Sequence, residues 1–136
     1  MPRLALRDIL LWIVLLVMFQ PAQAQLMPES AFRVRFNERE ISVVAPTGER
    51  RTVLWSALTR VTIRTTDEGP LRPDVFWEFY AGSAEVHLSF PSGATGEREI
   101  VGALNARLLG FRINEATRAM GSTSNATFVI WERPNK

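Results

Sequence analysis

The side chains that could support catalysis are few in this chain, and they lie far apart in sequence. His87 is the single histidine and there is no cysteine, so thiol nucleophiles, thiolate zinc sites and disulfides are excluded. General base catalysis by histidine requires a neighbouring nucleophile and an acid that orients the ring. His87 alternates with Val86 and Leu88, which predicts an exposed position on a strand. We therefore predict no catalytic residue and no enzymatic activity.

A group of acids around a Gly-Pro loop is the alternative source of chemistry. Asp67, Glu68 and Asp74 flank this loop and could surround a hard cation, or Asp67 and Asp74 could serve an acid-dependent hydrolase. Calcium loops place ligands at close, regular spacing around a sharp glycine turn, whereas prolines occupy those positions here. The pattern favours a connecting loop, and we expect neither a metal nor a cofactor.

Arginines cluster near the start of the mature chain and could bind an anion. They are Arg33, Arg35, Arg39, Arg50 and Arg51. Three glutamates are interleaved with them in sequence: Glu38, Glu40 and Glu49. The pattern is compatible with a site for a phosphate or an anionic head group, and also with a solvated, salt-bridged face. The interleaved acids favour the salt-bridged face.

An aromatic segment indicates a surface for a protein or peptide partner. Trp77 shares a strand face with apolar neighbours, which predicts a position in the core. Phe76 and Tyr80 fall on the opposite face, with Glu78 between them. If that face meets solvent, these rings form an exposed aromatic patch, which is typical of an interaction surface. The candidate binding residues are therefore Phe76, Tyr80, Arg33 and Arg35.

The N-terminus has the three parts of a secretory signal peptide. Arg3 and Arg7 form a positive region, an apolar run covers 9–19, and Ala22 and Ala24 form an Ala-x-Ala cleavage site. An apolar helix of this length would reach roughly 16 Å, about half of a ~30 Å hydrocarbon core. We expect cleavage after Ala24 and a periplasmic or secreted protein.

Two alternatives to export stay open. Met27 followed by Pro28 would be an ordinary start for a cytoplasmic protein. An uncleaved leader would anchor the chain in the inner membrane, although Gln20 and Pro21 interrupt the apolar run. In that case the membrane is contacted only through the N-terminal segment.

Length and charge predict one domain that does not bind nucleic acid. We divide the chain into a leader at 1–24, a linker at 25–31 and a single domain at 32–136. The leader removes two arginines and one aspartate, which leaves 14 basic and 13 acidic residues in the mature chain. A net charge so close to zero gives no electrostatic attraction to nucleic acid.

The hydrophobic pattern predicts an α+β domain. Period-two alternation predicts six strands, at 32–36, 40–45, 51–55, 60–66, 75–80 and 85–90. A period of 3.6 then predicts a helix over 97–109, a short helix capped by Asn114 and ended by Gly121, and a last strand over 126–132. Short turns make consecutive strands antiparallel. We expect a bent sheet or partial barrel of about seven strands, capped by the amphipathic helix.

Motifs along the mature chain resemble those of known bacterial proteins. The Trp-x-x-Leu step at 55–58 resembles a corner between strands in bacterial pleckstrin-homology-like (PH-like) domains. Four further motifs are similar in order to a group of small uncharacterised bacterial proteins: TTDEGP at 65–70, DVFW at 74–77, LGF at 109–111 and AMGST at 119–123. This resemblance implies a small barrel plugged by a helix, a scaffold for peptides, lipids or self-association, and it implies no catalytic residues. The short helix and strand after the long helix depart from the PH-like pattern. Taken together, the sequence predicts an exported, non-enzymatic binding module.

Overall fold

The structure, a computed structural model, describes residues 29–70 and 72–135. The predicted leader, with its cleavage site at Ala22 and Ala24, lies outside these ranges. The described residues form two antiparallel sheets, of three and four strands, and two α-helices. The α+β class is therefore confirmed, as is the order of six strands, two helices and a final strand.

The first sheet contains the three N-terminal strands in sequence order. They are β1 (Arg33–Phe36), β2 (Glu40–Val44) and β3 (Arg50–Leu54). The alternation in the sequence places Val34, Ile41 and Val53 on the inner face, where all three are buried. The same alternation assigns Phe36 to the inner face, but it is 36% exposed. It lies at the end of β1 and makes an edge-to-face contact with Trp55.

The second sheet has the strand order β6-β5-β4-β7. Its strands are β4 (Arg60–Thr65), β5 (Val75–Tyr80), β6 (Leu88–Pro91) and β7 (Ala126–Glu132). The prediction that β6 begins at Glu85 is wrong by three residues. Ser83 accepts a hydrogen bond from the Glu85 N–H (3.1 Å) in a local turn, and the chain then bonds to β5 through the His87 N–H, which donates to Phe79 O (2.9 Å) just before β6 begins.

A corner made of a single short 3-10 helix, Trp55–Ala57, connects the two sheets. Trp55 was predicted to end a strand, but it begins this helix and donates its indole N–H to Asn37 O (2.9 Å). Arg133, which follows β7, donates to the carbonyl oxygens of Trp55, Ser56 and Leu58 at 3.2, 3.0 and 2.9 Å. The residue that follows the C-terminal strand therefore stabilises the corner between the two sheets.

Two helices, α1 (Glu97–Arg107) and α2 (Ile113–Met120), complete the fold. Ile100 and Leu104 of α1 are fully buried, as the 3.6-residue period predicts. The predicted N-cap role of Asn114 is wrong, because α2 already begins at Ile113. The Arg112 N–H is bonded to Ile130 O (2.9 Å), which ties the start of α2 to β7.

The core lies between the inner faces of the sheets and the two helices. Trp77 and Phe79 each stack on Phe90, with ring centroids 6.4 and 5.8 Å apart. Trp77 is buried, as predicted, and Trp131 is buried as well, whereas Trp55 is only partly buried. Neither helix in the described ranges has the length and apolar character needed to cross a membrane.

Candidate functional site

The histidine and the loop acids do not form a reactive group with one another. The His87 ring is exposed, and its Nε2 lies 2.9 Å from the carbonyl oxygen of Thr52. The Asp74 side chain packs directly against Gly69, inside its own loop. Within 29–70 and 72–135, no three His, Cys, Asp or Glu side chains lie close enough together to hold a metal ion.

The outer face of β4 and β5 carries the predicted aromatic residues, and we call it the Phe76–Tyr80 face. Both rings are half-buried, because an arginine of β4 lies over each of them. The Arg60 Cζ is 4.2 Å from the Tyr80 ring centroid, and the Arg64 Cζ is 4.5 Å from that of Phe76. The face therefore presents guanidinium groups stacked on rings, rather than bare aromatic surface. Its role in binding stays a prediction.

The centre of the Phe76–Tyr80 face contains buried polar groups. Glu78 is 7% exposed and accepts a hydrogen bond from Arg64 Nε at 2.9 Å. Thr62 is 2% exposed, and neither its hydroxyl nor the Nε of Arg60 has a partner among the described residues. Burying a hydroxyl without a hydrogen bond costs free energy.

Thr62→Val should raise the free energy of unfolding by ~1 kcal/mol, because it replaces an unpaired hydroxyl with a methyl group of similar shape. Thr65→Val is the matched control on the same strand. The Thr65 hydroxyl donates to Ser124 O at 2.6 Å, so its loss should lower the free energy of unfolding by ~1–2 kcal/mol. Urea unfolding of both variants measures the two signs. Equal destabilisation by both variants would show that the Thr62 hydroxyl does have a partner.

The outer face of the first sheet carries Arg33, Arg35 and Arg50, and we call it the arginine face. Register places Arg33 and Arg50 on either side of Val44, and Arg35 beside Ser42 in the next row. Arg33 and Arg50 are two strand spacings apart, about 10 Å, and Arg35 lies ~7 Å further along the strand direction. All three arginines are exposed and line one depression of about 380 Å³.

Among the described residues the three arginines of the arginine face are exposed, as a solvated face requires, but they form none of the salt bridges that the sequence predicts there. Glu49 pairs with Arg51 at 3.1 Å, and Glu38 lies 4.0 Å from Arg107. Among the residues that the structure describes, Arg33, Arg35 and Arg50 have no carboxylate within 4.0 Å. Glu40 is the acid that shares the depression, and it lies at one end of it.

Strand register explains why the glutamates that are interleaved with Arg33, Arg35 and Arg50 in sequence do not form ion pairs with them among the described residues. Odd and even positions of β2 and β3 face opposite sides, so Glu49 and Arg51 leave the side that carries Arg50. The exact length of each turn decides which acids share a face with Arg33 and Arg35.

Comparison with protein-family models, with curated proteins and with solved structures gives no match for this chain.

Proposed function

We propose that this domain is an exported, non-enzymatic binding module on a PH-like scaffold, and that its arginine face binds an acidic protein or peptide partner. The observation that carries the proposal is the convergence of Arg33, Arg35 and Arg50 on one depression, where none of the three forms an ion pair with a described carboxylate. The order of the sequence motifs and the two antiparallel sheets with a following helix support the scaffold assignment.

Three like charges on one face repel one another, and an anionic partner relieves that repulsion. In water the repulsion between two unit charges 10 Å apart is about 0.4 kcal/mol, so the unbound domain tolerates it easily. Each guanidinium has five N–H donors in a planar fork that matches a carboxylate. A partner with two or more carboxylates about 7–10 Å apart would satisfy several guanidinium groups at once.

The surroundings of the candidate reactive groups support binding rather than catalysis. His87 is engaged with the carbonyl oxygen of Thr52, where it faces backbone rather than a nucleophile and an orienting acid. Asp74 is packed against Gly69 within its loop. The arginine face is made of residues that follow the predicted leader, so binding does not depend on whether that leader is retained.

The combined substitution Arg33→Gln, Arg35→Gln and Arg50→Gln should weaken binding of an acidic peptide at least about tenfold. Exposed ion pairs contribute ~0.5–1 kcal/mol each, so the loss of three amounts to roughly 10- to 100-fold in Kd. The probe is a fluorescein-labelled oligoglutamate peptide, and its fluorescence anisotropy at low salt measures the affinity. Binding should weaken as salt is added, because the guanidinium groups are exposed.

A second triple variant separates a specific site from net charge. Three exposed arginines outside the arginine face supply it, substituted as Arg72→Gln, Arg98→Gln and Arg112→Gln. This control has the same net charge as the test variant and should keep most of the affinity. Equal weakening by both triple variants, or no binding of the unaltered protein at low salt, would overturn the proposal.

A further inference from the structure

The outer edge of β3 carries backbone groups that no strand pairs with. The Ala45 N–H donates to Glu49 O (2.9 Å) and the Trp55 N–H to Arg39 O (3.0 Å), which identifies the hydrogen-bonded rows between β2 and β3. Hydrogen-bonded and non-hydrogen-bonded rows alternate in an antiparallel pair. The other rows therefore point their backbone groups away from β2, and these rows contain Arg50, Thr52 and Leu54.

One side chain reaches this open edge among the described residues. His87 Nε2 lies 2.9 Å from Thr52 O, and no strand of the second sheet is hydrogen-bonded to β3. His87 covers one carbonyl group of this edge, and the side chains of Arg50 and Leu54, on either side of Thr52, are exposed. An exposed row of unpaired N–H and C=O groups is a template for another extended chain.

A small cavity opens beside the edge on the inner side of the first sheet. It has a volume of about 230 Å³, and its apolar lining includes Val43, Val86 and Leu88. Ligand pockets usually measure ~300–1,000 Å³, so this cavity suits one apolar side chain rather than a whole ligand. Val86 is 38% exposed, which leaves apolar surface at the cavity for a partner to cover.

The arginine face adjoins the same edge on the outer side. The Arg50 side chain stands on β3 itself, and Arg33 and Arg35 lie two strands away across the sheet. A strand added to β3 would alternate its side chains between the two sides of the sheet. One set would therefore stand beside Arg50 on the outer side, and the other would point toward the cavity.

We propose that an extended segment of a partner protein, with acidic residues at alternate positions and apolar residues between them, adds to β3 as a fourth strand of the first sheet. The inference rests on the proposed function, because Arg50 of the arginine face supplies its charge selectivity. The added strand bonds the free groups of Arg50, Thr52 and Leu54. One of its apolar side chains enters the cavity beside Val86.

The charge of β3 itself argues against a second copy of this chain as the occupant. β3 contains Arg50 and Arg51 and no acidic residue, so a second copy paired along the same edge brings no carboxylate to either arginine. Like charges directly opposite one another destabilise a sheet, whereas opposite charges stabilise it. The basic edge thus disfavours self-association and selects an acidic strand.

His87 competes with the added strand for the Thr52 carbonyl oxygen. The incoming backbone N–H can bond to this oxygen only after the imidazole ring has moved aside. His87→Ala removes this competitor and should strengthen peptide binding by about two- to tenfold, the range of one exposed hydrogen bond.

The test uses two fluorescein-labelled peptides of identical composition, one alternating Glu and Val and the other with the glutamates and valines in separate blocks. Thr52→Pro removes the outward N–H without breaking the β2 ladder, since proline is accepted where an edge N–H faces solvent. We expect the alternating peptide to bind more tightly than the block peptide, and Thr52→Pro to weaken its binding by about two- to tenfold. Thr52→Val changes the same side chain but keeps the N–H, so weakening equal to that of Thr52→Pro would assign the effect to the side chain and overturn the inference.

A modified peptide tests the same contact without altering the protein. The backbone nitrogens of the alternating peptide can be methylated either at every Glu or at every Val. Only one of these two sets of N–H groups points toward β3, so only one of the two methylated peptides should lose its tighter binding relative to the block peptide. Equal binding of the two peptides, or no effect of Thr52→Pro, would overturn strand addition while the arginine face still binds oligoglutamate. If the unaltered protein does not bind oligoglutamate either, the proposed function is overturned. Dimerisation of the protein that is lost in Thr52→Pro would place a second copy at the edge and also overturn the inference.

Discussion

Gly96→Ala should lower the free energy of unfolding by at least ~2 kcal/mol, through two effects that act at one residue. Gly96 precedes α1 with φ +92°, a conformation that side-chain-bearing residues rarely adopt. A Cβ atom at this position would also collide with the backbone carbonyl oxygen of Val34. A backbone atom cannot rotate away as a side chain can, so β1 and the start of α1 would have to separate.

The position of Gly96 explains why this separation is costly. Thr95 exchanges two backbone hydrogen bonds with β1, from the Val34 N–H to Thr95 O (2.8 Å) and from the Thr95 N–H to Phe32 O (2.9 Å). These bonds join the first sheet to the helix that covers the core. A shift at Gly96 would therefore strain both bonds and the packing of Ile100 behind them.

Gly48→Ala is the matched control for this prediction. Gly48 has a similar φ of +89°, but nothing lies within 4 Å of the place that a Cβ atom would occupy. Gly48→Ala should therefore lower the free energy of unfolding by only ~1 kcal/mol, from the backbone conformation alone. Urea unfolding followed by tryptophan fluorescence measures both variants. Equal costs at Gly48 and Gly96 would show that the contact with Val34 has little weight.

Local patterns were sufficient to predict most elements of this fold. The segment 75–80 was predicted with the bounds that the structure has, because five of its six residues are β-branched or aromatic. The start of α1 at Glu97 follows from acids in its first turn and the apolar spacing behind them. Errors occurred where the chain leaves an element, as at Leu109, which is 88% exposed beyond the end of α1.

Pairing between distant strands could not be predicted from local patterns. β7 lies against β4, although more than sixty residues separate Thr62 from its partner Val129. Nothing within either strand specifies that neighbour, because alternation fixes a buried face and not a partner. The same limit applies to Arg133, whose bonds to the corner at Trp55 arise only after β7 has docked.

The candidate site was predictable in residue type but not in arrangement. Arg33 and Arg35 were identified from their alternation with apolar residues, and the structure places Arg50 with them. Whether a glutamate neutralises the group depends on turn lengths that shift register by single residues. The open edge of β3 is a property of sheet order, and no motif in the sequence marks it.

Glu97→Ala should lower the free energy of unfolding by ~2–4 kcal/mol, because it leaves a buried donor without a partner and removes a helix-start carboxylate. One carboxylate oxygen accepts the Trp77 indole N–H at 3.0 Å. The other accepts the Ser92 hydroxyl at 3.2 Å and the Gly93 N–H at 3.3 Å. Trp77 is 1% exposed, so water cannot replace the lost acceptor without opening the core.

Glu99→Ala and Trp77→Phe identify the source of that effect. Glu99 lies in the same first turn of α1 but is exposed, and its loss should cost ~0.5 kcal/mol through the helix dipole alone. Trp77→Phe removes the indole N–H, so Glu97→Ala should cost ~1–2 kcal/mol less in that background. A cost independent of residue 77, measured by urea unfolding, would assign the role of Glu97 to Ser92 and Gly93 instead. If the cost of Glu97→Ala is smaller in the Trp77→Phe background, the Glu97 carboxylate connects β5, the loop after β6 and α1. This carboxylate would then join α1 to the second sheet, as the Gly96 contact joins the start of α1 to β1.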